Sequence, residues 1–239
     1  KKSLLKIIRM INKFKELQKK IGIDFENLDL LKEALTHRSY PNENISWPHG
    51  NNERLEFLGD AVLELTVTAY LFENFKHKEE GELTIYRAAL VNTKSLSNTA
   101  SEIGLDQEIL MSKGEARDFS GKARETISAN AVEALIGALF LDGGYDVAKK
   151  FISKNIIDPK LVDIKNGGGK DPKSLVQEHA QSEFKVTPTY RVLDESGPAH
   201  EREFKVGLYF DDTLKAQGEG KSKQEAETDA AEKFLKKQK

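Results

Sequence analysis

The chain has 239 residues, enough for one large domain or two modest ones. Hydrophobic residues make up 38% and charged residues 32%, and no apolar run approaches the ~18 residues that span a bilayer, so no membrane segment is expected. The absence of Cys excludes a disulfide scaffold, a zinc ribbon and a thiol nucleophile, and it agrees with a reducing cytoplasmic setting. The net charge is −2, with 25 basic against 25 acidic residues before Asp171 and 12 against 14 from there on. Any nucleic-acid binding must therefore come from a local arrangement of charge.

The first residues, KKSLLKIIRMINKFK, are basic, with Lys6 and Arg9 interrupting any secretory apolar core. Residues 1–11 are expected to form a helical extension. Leu28, Leu31 and Leu35 recur at helical spacing, Pro41 and Pro48 bracket a loop, and Leu55, Leu58, Val62 and Leu65 define the next helix. Ala131 to Leu141 is an apolar helix closed by Gly143 and Gly144. No alternating strand pattern stands out in this part, so residues 12–162 read as an all-α domain. The stretch 163–170 carries three consecutive glycines, too costly in backbone entropy for the interior of an element, and reads as a flexible linker.

Beyond the linker the period changes. Pro172 to Phe184 reads as a helix with Asp171 as N-cap. Tyr190 and Val192, then Phe204, Val206, Leu208 and Phe210, alternate with polar residues. Asp211-Asp212 marks a turn, Thr213 to Gly218 a third strand, and Ser222 to Lys237 a last helix. The order α-β-β-β-α over 171–239 predicts a small α+β domain, with two helices on one face of an antiparallel sheet.

The segment NERLEFLGDAVL, from Asn52 to Leu63, carries the chemistry. On a helix Glu53, Glu56 and Asp60 fall within about 60° of one face. At ~5 Å and an effective dielectric of ~20, each like-charge pair costs roughly 3 kcal/mol. A hard divalent cation with oxygen ligands would offset this; a solvated acidic face partnered by Arg54 is the plainer alternative. A second helix places Asn130 and Glu133 at i, i+3, with Glu133 in an almost wholly apolar stretch, where a carboxylate is costly unless paired or metal-bound. Leu55, Phe57, Leu58 and Val62 fill other directions, so burial over much of the first helix is expected. Lys122 and Arg124 precede the second helix and are either phosphate contacts or exposed loop cations.

These residues resemble the ribonuclease III family. NERLEFLGD is similar to its signature, and Thr36-His37-Arg38-Ser39, Glu80-Gly81-Glu82-Leu83 and Ala129 to Gly144 resemble its flanking motifs. The terminal module resembles the double-stranded RNA-binding domain appended in bacterial members. The resemblance implies a homodimeric, all-helical endonuclease domain that hydrolyses double-stranded RNA in RNA processing and maturation, leaving 5′-phosphate and 3′-hydroxyl ends. It implies Mg²⁺ as cofactor, with Mn²⁺ substituting, and no protein partner beyond a second copy. Carried over by position, Glu56, Asp60, Asn130 and Glu133 are metal ligands. Asp60 and Glu133 are also catalytic, and Glu53 and Glu80 are assisting acids near the dimer cleft. The family normally has Asp where this chain has Asn130, whose amide oxygen coordinates without bringing charge. Glu64, one turn beyond Asp60, matches no fixed family acid and reads as a helix-surface or dimer-rim residue.

In the terminal module the resemblance points to three RNA contacts. These are Gln177 and Glu178 in the first helix, His200 in Gly197-Pro198-Ala199-His200, and Lys221 and Lys223 at the start of the last helix. The first two sets would enter minor grooves, and the lysines would meet phosphates across the intervening major groove. Gln224 stands where a second lysine is usual. An alternative function is a double-stranded RNA-binding protein whose nuclease is weakened at Asn130, by natural divergence or by an engineered inactivating change. A metal-binding helical structural protein would leave the terminal module unexplained.

Overall fold

A computed structural model describes residues 14–165, 172–198 and 202–238. The expected extension over 1–11, the glycines of the linker, the Asp171 cap and His200 lie outside the described residues. The chain divides into two compact units, Lys1–Gly169 and Lys170–Lys239.

The first unit is helical. Its described elements are α1 (14–21), α2 (Leu28–Ala34), α3 (Tyr40–Glu43), α4 (Glu53–Asn74), α5 (Glu80–Val91), α6 (Thr93–Glu102), α7 (Lys113–Arg117), α8 (Gly121–Ile152) and α9 (Leu161–Lys165). A π-helical turn (Ser153–Ile157) and a 3-10 turn (Asp158–Lys160) join α8 to α9. Among the described residues of this unit the sole β-type pairing is one parallel bridge, Thr36 to Leu110. α9 takes in residues 163–165, so the chain is still helical where the linker was expected to begin.

The core centres on α8, which packs against α4, α6 and α2. Ala131, Val132, Leu135, Ile136 and Leu139 are fully buried there. Gly143 and Gly144 close the first, apolar part of this helix as expected. Gly144 takes φ 79° and kinks it, and helical structure resumes to Ile152, because Ala148, Phe151 and Ile152 pack back into the same core. By length and composition alone Gly121–Lys160 would suffice to cross a bilayer, a possibility that counting unbroken apolar runs missed. Most of its apolar window is buried inside the domain, as in a central core helix.

α4 departs from the expected burial. Leu55, Val62, Leu63 and Val67 face the core, but Phe57 is 83% exposed, Leu65 60% and Phe72 73%. Helical spacing identifies which residues share a face, and here two faces of α4 are apolar while α8 covers one.

The second unit has α10 (Pro172–His179), a π-helical turn (Ala180–Phe184), β1 (Pro188–Ser196), β2 (Glu203–Phe210), β3 (Thr213–Gly220) and α11 (Lys223–Lys236). The sheet is antiparallel in the order β1-β2-β3. Val176, Ala180, Leu208, Phe210, Ala216, Ala230, Ala231 and Phe234 form its core. Asp211 takes φ 52° in the tight turn between β2 and β3. β3 runs two residues past the expected end, to Gly220, and its glycines let α11 approach closely. A Cβ on Gly218 would stand 2.2 Å from Ala226 O, and one on Gly220 2.6 Å from Ala226 N, so α11 rests directly on the strand backbone. Ser222 caps α11 by accepting from Glu225 N, and the Glu225 carboxylate accepts from Lys221 N.

Candidate active site

Two helices build the site. α4 is held at its start by Asn52, whose N–H donates to Thr36 O at 2.9 Å and whose carbonyl accepts from Glu56 N at 2.8 Å. α4 and α8 cross at Gly59 and Gly137. A Cβ on Gly137 would stand 2.2 Å from Leu55 O, so the two backbones touch with no side chain between them. That approach brings Glu56 and Asp60 on α4 beside Asn130 and Glu133 on α8.

The electrostatics record this proximity. Burial raises the Glu56 pKa above the usual carboxylate range, a hydrogen bond from Asn130 opposes that, and the charges of Glu53 and Asp60 add to it. Glu133 is pushed up to about 7, first by burial and then by the charges of Asp60, Glu56 and Glu64. Among the described residues no three His, Asp or Glu side chains gather closely enough to hold a metal ion. The four predicted ligands are thus coupled neighbours and not a closed cage, since like-charged carboxylates spread apart. Their donor set still suits a hard divalent cation. It consists of carboxylate oxygens and one amide oxygen, with Glu133 raised first by burial and then by the charges of its acidic neighbours.

Beside these residues lies a cavity of about 620 Å³ lined by His37, Arg38, Asn52, Glu53, Glu56, Glu115, Lys122, Ala123, Thr126, Ile127 and Asn130. Its rim carries both signs of charge. Arg38 approaches Glu53 at 3.6 Å, and burial lowers the His37 pKa, favouring the neutral imidazole. The sequence reading named neither His37 nor Glu115 as a site residue; only the arrival of separate elements at one cavity brings them in.

Other expected residues are placed elsewhere. Glu80 sits in the first turn of α5, accepts from Thr84 Oγ1 at 3.0 Å, and lines a separate cavity of about 430 Å³ with Leu71, Phe72, Leu83 and Arg87. Glu64 is paired with Arg87 at 3.1 Å, as befits a surface position, although its charge reaches Glu133. Lys122 and Arg124 lie in the first turn of α8 rather than ahead of it. Lys122 lines the cavity, but Arg124 is engaged by Asp106, a partner 18 residues away that no spacing rule would reveal.

In the second unit Gln177 and Glu178 lie on the exposed side of α10. Lys221 and Lys223 flank the capped start of α11, and Lys223 Nζ lies over the Phe204 ring at 5.8 Å from its centroid. A helix N-terminus with adjoining lysines suits phosphate.

Comparison with known proteins bears on this arrangement. The Ribonuclease-III-like family model matches residues 27–160, and the double-stranded RNA binding motif matches 172–238. Ribonuclease 3 of Geobacillus sp. (strain WCH70) is 47% identical over 94% of this chain and 91% of its own length. Ribonuclease 3 of Borreliella burgdorferi is 44% identical over 90% of this chain and 87% of its own. Two solved structures of the ribonuclease III nuclease domain from Campylobacter jejuni are 43% and 42% identical, with TM-scores of 0.52 and 0.53. They cover 59% and 60% of this chain and 96% of theirs, and one was described for flexibility in a region involved in dimer formation. A helical nuclease domain with paired acids at its central crossing, followed by a double-stranded RNA-binding domain, makes this chain a member of the ribonuclease III family of endoribonucleases.

Proposed function

We propose that this chain hydrolyses double-stranded RNA with Mg²⁺, which Mn²⁺ can replace, leaving 5′-phosphate and 3′-hydroxyl ends, and that it does so in cytoplasmic RNA processing and maturation. The observation that carries the reading is the meeting of Glu56, Asp60, Asn130 and Glu133 at a helix crossing too tight for any side chain. Glu56, Asp60, Asn130 and Glu133 would hold the ion. When bound, Mg²⁺ supplies charge neutralisation and an activated water at the phosphodiester. In the hydrolysis the water oxygen bonds to phosphorus, the bond from phosphorus to the 3′ oxygen breaks, and that oxygen takes a proton. Glu133, raised to about 7 without a cation, would give up its proton as it takes the ion and hold that ion as a carboxylate. Lys122 and Arg38 on the cavity rim offer charge to flanking phosphates.

The exposed apolar residues of α4 support a homodimer, with Phe57, Leu65 and Phe72 buried against a second copy. Two copies related by a two-fold axis would cut the two strands, and Glu80 would assist at the cleft between them. The terminal domain holds substrate through Gln177, Glu178, His200, Lys221 and Lys223, reading duplex shape over about 16 base pairs.

The test is cleavage of a long RNA duplex with and without Mg²⁺, by the parent and by Asp60→Ala. The parent should cut only with the metal. The variant should bind duplex normally and cut more than a hundredfold more slowly; cutting within tenfold of the parent would place the chemistry elsewhere. Sedimentation should give a dimer at micromolar concentration. Asn130 supports one second reading, a duplex-binding protein with a weakened nuclease, because its hydrogen bond to Glu56 joins the two helices without adding charge for a cation. Duplex binding with no cleavage at saturating Mg²⁺ would decide for it.

A further inference from the structure

The loop joining α6 to α7 carries one half of an ion pair that the reading above leaves unused, with its carboxylate buried and the partnering guanidinium half-exposed. The Asp106 side chain is 2% exposed. Its Oδ2 accepts from Arg124 Nη2 and, at 3.1 Å, from Ser101 Oγ; its Oδ1 is buried without a hydrogen-bond partner. A buried carboxylate with one unpartnered oxygen is costly unless its charge is balanced, so Asp106 depends on the guanidinium of Arg124. Arg124 in turn stacks over the Phe119 ring, 5.7 Å from its centroid, in the first turn of α8 and six residues ahead of Asn130.

The same loop is stitched to the segment that follows α2. Leu110 N donates to Leu35 O at 2.7 Å, and His37 N donates to Leu110 O at 2.9 Å. Between those two positions, Thr36 O accepts from Asn52 N, the cap of α4. A continuous path of Arg124, Asp106, Leu110, Thr36 and Asn52 thus joins the N-terminal ends of the two site helices. The last member of this path, Asn52, lines the 620 Å³ cavity. The contact of Gly59 and Gly137 fixes the crossing, and this path joins the two helices away from it.

We propose that the Arg124–Asp106 pair is a positioning element. It sets the spacing between the N-terminal halves of α4 and α8, and so the distance of Asn130 from Glu56 at the divalent-cation site. The proposal rests on the metal site put forward above. It assigns the half-exposed guanidinium of Arg124 to the buried Asp106 carboxylate and not to an RNA phosphate.

The test uses the full chain. Asp106→Asn keeps the side-chain shape and removes its charge, and Arg124→Met keeps the stem and removes the guanidinium. Both are compared with the parent by melting in EDTA, by the rise in melting temperature across a Mg²⁺ titration, and by duplex RNA binding in EDTA at several salt concentrations. Half-saturating Mg²⁺ should rise about tenfold in both variants, in the range seen when groups that orient metal ligands are removed. RNA affinity and its salt slope should stay unchanged, and Arg124→Lys should recover part of the Mg²⁺ response. If Arg124→Met alone weakens RNA binding and lowers the salt slope by about one, Arg124 is a phosphate contact and the proposal fails. If the variants melt lower yet respond to Mg²⁺ like the parent, the pair is only a staple and the proposal also fails. Should Asp106→Asn not fold, the two Arg124 variants carry the same comparison. A parent that gains no stability from Mg²⁺ overturns the metal site itself, and the positioning with it. A responsive parent with matching variants overturns the positioning alone.

Discussion

Gly59 lies so close to Glu133 that a Cβ added to it would stand 1.7 Å from the Glu133 carbonyl oxygen. No rotamer relieves such a clash, because the obstacle is backbone. Gly59→Ala must therefore push α4 off α8. The expected cost is at least about 1–3 kcal/mol, the range for overpacked cores, or a drop of several degrees in melting temperature. The same shift separates Glu56 from Asn130, so the Mg²⁺ response should fall more than stability does. A variant that melts and binds Mg²⁺ like the parent would show that the crossing does not hold the site together.

Glu133 makes metal-free stability pH-dependent. Its carboxyl is raised from 4.5 to about 7 in the fold, so the folded state binds the proton more tightly than the unfolded chain. The resulting stability is complete below about pH 4.5 and is lost as pH rises through about 7. Solvent still reaches the group, which limits the effect to on the order of 1–2 kcal/mol. Melting in EDTA should decline over that window for the parent and be flatter for Glu133→Gln. Parallel profiles for the two would remove Glu133 as the source.

Asn130→Asp should raise activity at limiting Mg²⁺. At ~4 Å and an effective dielectric of ~20, a unit charge gains roughly 4 kcal/mol from a unit cation. Repulsion from Glu56, Asp60 and Glu133 offsets much of this, leaving a net on the order of 1–3 kcal/mol, or about ten- to a hundredfold in affinity. The hydrogen bond from the Asn130 amide to Glu56 is lost in the same step, so the variant should melt lower in EDTA and gain more from Mg²⁺. Equal half-saturation and equal rates would exclude position 130 as a ligand.

Removing Lys170–Lys239 should leave a folded nuclease domain, since each unit has its own core. Cleavage should persist at low salt and high protein concentration, with weaker RNA binding and a steeper loss of activity as salt rises. Complete inactivity at low salt would mean that the terminal domain forms part of the active site.

Much of this was legible along the chain because it depends on local spacing. Period 3.6 and period 2 separate the helical unit from the α-β-β-β-α module, and the triple glycine separates their compositions. The i, i+3 and i+7 spacing aligns Glu53, Glu56 and Asp60 on one face of α4, and i, i+3 aligns Asn130 with Glu133. Each of these relations is closed within a few turns of one helix, so sequence distance and spatial distance agree.

Tertiary structure alone decided the rest. Spacing shows that α4 has apolar faces but not which one α8 would cover, and so burial was expected for Phe57, which the fold leaves exposed with Phe72. It could not show that Gly59 meets Gly137, that Glu80 lines a different cavity from Glu56, or that Arg124 pairs with the buried Asp106. These contacts join residues far apart in the chain, and they are chosen by how whole helices pack. A helix carries its own periodicity, but the partner that buries one of its faces is selected only when all the faces compete for the same core.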